Sequence, residues 1–159
     1  MVRIKSLFAP SILIALGVAF GASGATAHSD EHHHDHAAFG QPGNPAKASR
    51  SVAIDMNDTM RYNPDRISVK RGETIRFVVR NSGQVTHEVV LGTAKELREH
   101  AALMRKFPEM QHTDPNQLAV DPGKTGELVW QFTKPGTFDF ACLQPGHYEA
   151  GMHGKIAVK

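Results

Sequence analysis

From residue 51 to the end of the chain, apolar side chains recur at every second position in short runs that Gly, Pro, Asn or Asp repeatedly interrupt. Ile75, Phe77 and Val79 alternate with more polar positions between residues 74 and 80, and Leu128, Trp130 and Phe132 share one face of residues 127 to 132. A period of two is the pattern of a half-buried strand. Similar runs lie at residues 51–56, 66–70, 86–91, 137–142 and 155–158, with turns at Arg71-Gly72, Asp121-Pro122-Gly123 and Lys134-Pro135-Gly136. This spacing predicts an all-β domain over residues 51–159, a sandwich or barrel of about eight strands. A domain of that size can bury one core between two sheets.

The period changes once. Thr93 is followed three residues later by Glu96, the form of a capping box, and Leu97, Ala101 and Met104 come next at helical spacing before Pro108. One short helix is therefore expected near residues 94–106.

The N-terminus reads as an export signal. Arg3 and Lys5 precede an apolar run from Leu7 to Phe20, and Ala25-Thr26-Ala27 has the small-x-small form of a cleavage site. The apolar run is too short to span a bilayer comfortably, so residues 1–27 are expected to be removed and no membrane span to remain. The whole chain carries 18 basic and 16 acidic residues. Residues 1–27 hold two of the bases and no acid, so the exported chain has 16 of each and is formally neutral. It has no basic patch interleaved with aromatics, and no nucleic-acid partner is expected.

Residues 28–50 form a second composition. His28, His32, His33, His34 and His36 are five of the chain's ten histidines, set among Asp30, Glu31 and Asp35, and Gly, Pro, Asn and Ala follow. Such a segment has too little apolar surface to offset its ordering entropy and reads as a flexible arm and linker. Its imidazoles and carboxylates are candidate secondary metal ligands, able to take up additional copper with little selectivity over nickel or zinc.

Cys142 is the single cysteine. In an oxidising compartment an unpaired thiol implies an intermolecular bridge, a reactive group or a metal ligand. Its neighbours favour the last. Residues 142–152 reduce to Cys142-x4-His147-x4-Met152 on a loop bent by Pro145, Gly146 and Gly151. Thiolate, imidazole and thioether, with a second imidazole, match a His2Cys copper site with a weak axial Met. His87, at the start of a strand after the turn at residues 81–84, is the natural second imidazole. A zinc site is disfavoured by the Met. His100, His112 and His153 are expected to face outward, and Met56, Met60, Met104 and Met110 mainly to pack.

On these residues, and on Gly72-x-Thr74-Ile75-x-Phe77-x-Val79 before the first His, residues 51–159 resemble the cupredoxins. The resemblance implies a Greek-key β-sandwich holding one type 1 Cu(I)/Cu(II) ion on His87, Cys142, His147 and Met152. The His-rich exported form looks most like the periplasmic, copper-inducible cupredoxins associated with copper tolerance, the CopI type. Two departures stand out. Plastocyanin-like loops are shorter between Cys and His, and the azurin loop is shorter before its Met. Glu88 also stands where many relatives have an Asn that steadies the ligand loop. Another residue is expected to take that role, unless Glu88 acts by adding negative charge.

The resemblance implies one-electron exchange through the edge of His147, framed by Pro145, Tyr148 and Ala150, with periplasmic redox proteins as partners. Four protein ligands leave no open position for substrate, so no enzyme is expected, and a monomer is. Two uses remain open: copper tolerance, in which the arm takes part, or a dedicated mobile electron carrier.

Overall fold

The alternation in the sequence is realised as ten strands and one α-helix among the described residues, 39–108 and 114–159, of a computed structural model. In chain order these are β1 (Gly40–Pro42), β2 (Arg50–Asn57), β3 (Arg61–Asn63), β4 (Arg66–Val69), β5 (Thr74–Asn81), β6 (His87–Gly92), α1 (Ala94–Lys106), β7 (Gln117–Val120), β8 (Thr125–Phe132), β9 (Gly136–Ala141) and β10 (His153–Val158). They form two five-stranded sheets, ordered β1-β8-β5-β2-β3 and β4-β10-β9-β6-β7. β2 runs parallel to β5 and β4 parallel to β10, and the other pairs are antiparallel.

The inward faces of the two sheets make one core. Ile75, Phe77 and Val79 from β5 meet Leu128, Trp130 and Phe132 from β8, with Phe140 and Ile156 from the other sheet. This is a β-sandwich, and the period-two residues are the ones that fill it. β6 departs from alternation because it is buried along its whole length. Val89 and Leu91 point into the sandwich core, whereas Val90 packs with Leu97, Ala101 and Met104 of α1. The helix thus covers the outer face of the sheet beside the ligand-bearing segments. Its start is the predicted capping box, with both reciprocal Thr93–Glu96 bonds present.

Residues 39–50 differ from the flexible linker expected of them. Phe39 is 1 % exposed and stacks on Trp130, with ring centroids 5.3 Å apart. β1 pairs with the edge of β8, and Asn44 caps a 3-10 turn at Pro45–Lys47. Burying an aromatic ring removes enough surface from water to offset the ordering of a few residues. The first strand of the main pattern begins at Arg50, and β1, β3 and β7, each of three or four residues, are the strands that none of the sequence runs named above covers. Residues 1–38, which include the expected export signal and His28, His32, His33, His34 and His36, lie outside the described residues, as do Met110 and His112.

Candidate metal centre

Two segments of neighbouring strands carry the candidate ligands. β6 opens with His87, and β9 ends at Ala141, so Cys142 is the first residue beyond it. β6 and β9 are antiparallel with Val90 opposite Ala141, which brings the start of one to the end of the other. The loop from Cys142 closes on itself: the Cys142 N–H donates to the Met152 carbonyl at 3.1 Å, and the Met152 N–H to the His147 carbonyl at 3.0 Å. Gly151 has φ +98°, which lets the loop turn back into β10.

His87 Nδ1 lies 3.2 Å from His147 Nδ1, and Cys142 Sγ lies 3.3 Å from the same nitrogen. The three donor atoms fall within 4.8 Å of one another. His87 and Cys142 are fully buried and His147 is partly exposed. Met152 is fully buried and tied to the same loop by its backbone. His153 faces solvent, as expected, and His100 is half-buried. Met56 and Met104 pack in the core and under the helix, while Met60 is partly buried against the core.

Several groups shape this centre. Burial pushes the Cys142 thiol up to about 12, against backbone N–H groups of Glu88 and Gln144 that favour the thiolate. Without a cation the thiol keeps its proton, and a bound metal displaces it. Burial, with His87 beside it, lowers the His147 imidazolium, so its Nδ1 lone pair is available near neutral pH. His87 Nε2 lies 3.0 Å from Asp58 Oδ1. A carboxylate only accepts, so His87 donates to it from Nε2. Two imidazole nitrogens and a thiol sulfur brought together at the edge of the core are a donor set suited to copper.

The reading of Glu88 changes. Glu88 is buried, and its Oε1 accepts the Leu143 N–H at 2.9 Å while Oε2 accepts from Gln117 Nε2 at 3.2 Å. Glu88 itself ties the 142–152 loop to β6. Tyr62 adds a second tie, donating from its hydroxyl to the Glu88 carbonyl at 2.5 Å. Arg61 donates to the Ala150 carbonyl at 2.8 Å. Asp58, Arg61 and Tyr62 were not singled out from sequence. They sit in or just after an ordinary Asn-Asp turn, and no local spacing connects them to a histidine or loop so far along the chain.

The sequence model described as "Copper binding proteins, plastocyanin/azurin family" matches residues 48–159. The chain belongs to that family. This cupredoxin is 54% identical over 135 residues to a "Copper-resistant cuproprotein CopI" of Rubrivivax gelatinosus, covering 84% of this chain and 82% of the relative. It is 39% identical over 181 residues to a protein of the same description from Pseudomonas aeruginosa, covering 94% and 96%. Among solved structures, the cupredoxin fold matches the auracyanin of Roseiflexus castenholzii with TM-score 0.60 at 21% identity, over 70% of this chain and 98% of that one. Auracyanin B matches with TM-score 0.61 at 20% identity, over 77% and 95%.

Proposed function

We propose that this cupredoxin is a periplasmic copper-tolerance protein that holds one copper ion on His87, Cys142, His147 and Met152. The convergence of His87 Nδ1, Cys142 Sγ and His147 Nδ1 within 4.8 Å carries the reading. Its similarity to proteins described as copper-resistant cuproproteins supports the physiological part. Export through residues 1–27, with cleavage after Ala27, belongs to the same proposal. No helix among the described residues is long and apolar enough to cross a membrane.

Bound copper supplies a one-electron couple. The protein's part is to hold its donors in one arrangement, so that little has to move when an electron arrives or leaves. Glu88 ties the His87 strand to the ligand loop, and the closed hydrogen bonding of residues 142–152 holds the loop ligands in place. His147 is partly exposed beside exposed Pro145 and Gly146, and it offers the path between the centre and a partner. We assign no catalytic turnover to the site. The arm histidines His28, His32, His33, His34 and His36 are proposed to capture excess copper.

That same exposed edge favours a second reading, a dedicated electron carrier with no part in tolerance. Deleting residues 28–36 separates the two, and the deletion stops short of Phe39 because that ring is in the core. A strain carrying the deletion loses copper tolerance if the first reading holds. Full tolerance would favour the carrier.

A further inference from the structure

The turn between β2 and β3 places a carboxylate on the outer nitrogen of the most buried imidazole. Asp58 Oδ1 lies 3.0 Å from His87 Nε2, and Asp58 Oδ2 accepts the Gln84 N–H at 2.8 Å. The carboxylate is thus held at both oxygens, one by the histidine and one by the turn that leads into it. His87 is fully buried, whereas the Asp58 side chain is 39% exposed. Asp58 therefore keeps its charge at the surface while its hydrogen bond reaches inward.

The opposing turn is shaped to receive it. A Cβ at Gly83 would lie 2.1 Å from Asp58 Oδ1 and 3.1 Å from the Asp58 backbone nitrogen, so only glycine lets the two turns approach this closely. The Gly83 N–H is held by Asn81 Oδ1 at 2.9 Å. Asn81 is itself buried, and its Nδ2 donates to the carbonyls of Val85 and Val120 at 2.8 Å each. The contact is built from both sides.

We propose that Asp58 is a positioning residue for the metal centre. It fixes His87 in the Nε2–H tautomer, aims Nδ1 at Cys142 and His147, and raises the basicity of that nitrogen. The inference rests on the copper reading above. A carboxylate on the far nitrogen of a ligating histidine orients the ring and strengthens it as a donor. Extra negative charge at a ligand favours Cu(II) over Cu(I), so Asp58 lowers the reduction potential.

The test uses Asp58→Asn, which keeps the shape and loses the charge, and Asp58→Ala, which loses both. Competition titrations of the exported protein with Cu(II) and Cu(I) give the two affinities. Each variant is expected to lose about 10–100-fold in Cu(II) affinity and less in Cu(I). A tenfold change in the ratio of the two raises the potential by about 59 mV. Nitrogen-15 spectra of the metal-free protein supply a readout that does not depend on copper. Wild type should show His87 protonated at Nε2 alone, and Asp58→Ala a mixture of tautomers, both read at a temperature well below the unfolding midpoint of each protein. Affinity ratios within twofold of wild type in both variants, with unaltered His87 nitrogen resonances, would overturn the proposal. In that case a wild-type copper–thiolate absorption band leaves the copper reading standing, and its absence removes both.

Discussion

The carboxylate of Glu88 accepts the backbone N–H of Leu143 at 2.9 Å, across a sequence separation of 55 residues. One residue on each side of this bond is a metal-ligand candidate: His87 precedes Glu88, and Cys142 precedes Leu143. This buried hydrogen bond therefore ties together the two segments that carry these candidates. Glu88→Ala leaves the Leu143 N–H without its acceptor in the interior, a loss of about 1–3 kcal/mol. Denaturant unfolding of the metal-free protein measures it. Glu88→Gln keeps an acceptor at the same place, so most of that stability should return. Its lost charge should raise the reduction potential, and an unchanged potential would show that Glu88 acts by structure alone.

Phe39 tests where the folded domain begins. Its ring packs between Trp130 and Phe138, with centroids 5.3 and 5.2 Å away. Phe39→Ala should destabilise the protein by about 3–5 kcal/mol. Removal of residues 28–36 should leave the unfolding midpoint of the metal-free protein unaltered. Equal midpoints for Phe39→Ala and wild type would return residues 39–50 to the status of a linker.

Copper uptake should depend on pH with a defined sign. The Cys142 thiol, pushed up to about 12 by burial, is protonated in the metal-free protein at all ordinary pH values. Binding then releases that proton, and the apparent affinity rises about tenfold per pH unit across the neutral range. Below the lowered pKa of His147 a second proton must leave, and the slope steepens. Isothermal titration in buffers of different ionisation enthalpy counts the protons. A pH-independent affinity between pH 6 and 8, taken as roughly the working range, would contradict thiolate ligation.

Acid stability turns on Glu73. Burial raises its carboxyl, but the Lys70 N–H and the Arg50 guanidinium outweigh burial and hold it below the usual value. Arg50 Nε reaches it at 2.9 Å and joins the start of β2 to the turn before β5. A carboxyl depressed in the folded state binds fewer protons there than in the unfolded chain. Its contribution is therefore complete above the unfolded value and fades as pH falls through the folded one. Glu73→Gln should flatten the decline in thermal midpoint below about pH 4.5, and an undiminished decline would assign it to other groups.

The candidate loop was legible because Cys142, His147 and Met152 lie on one short stretch whose chemistry and bends are local. The helix was legible for the same reason, since its capping box and apolar spacing sit within residues 93–104. β1 was not, because one phenylalanine among Gly, Pro and Asn has no period to reveal it. Its burial depends on the open edge of β8. Asp58 escaped notice because Asn57-Asp58-Thr59 is ordinary turn chemistry, and its importance comes only from a tertiary contact with His87. Glu88 was visible as a departure from the family's Asn. Its role became clear only with the register of β6 against β9, which aims the longer side chain at Leu143.

The most direct test of the proposed copper centre is an optical titration of the protein lacking residues 1–36, beside its Cys142→Ser variant. The account predicts an intense visible thiolate-to-copper band that saturates at one Cu(II) per chain, and no such band in the variant. A colourless copper-loaded protein, with Cys142→Ser binding copper equally well, would contradict it.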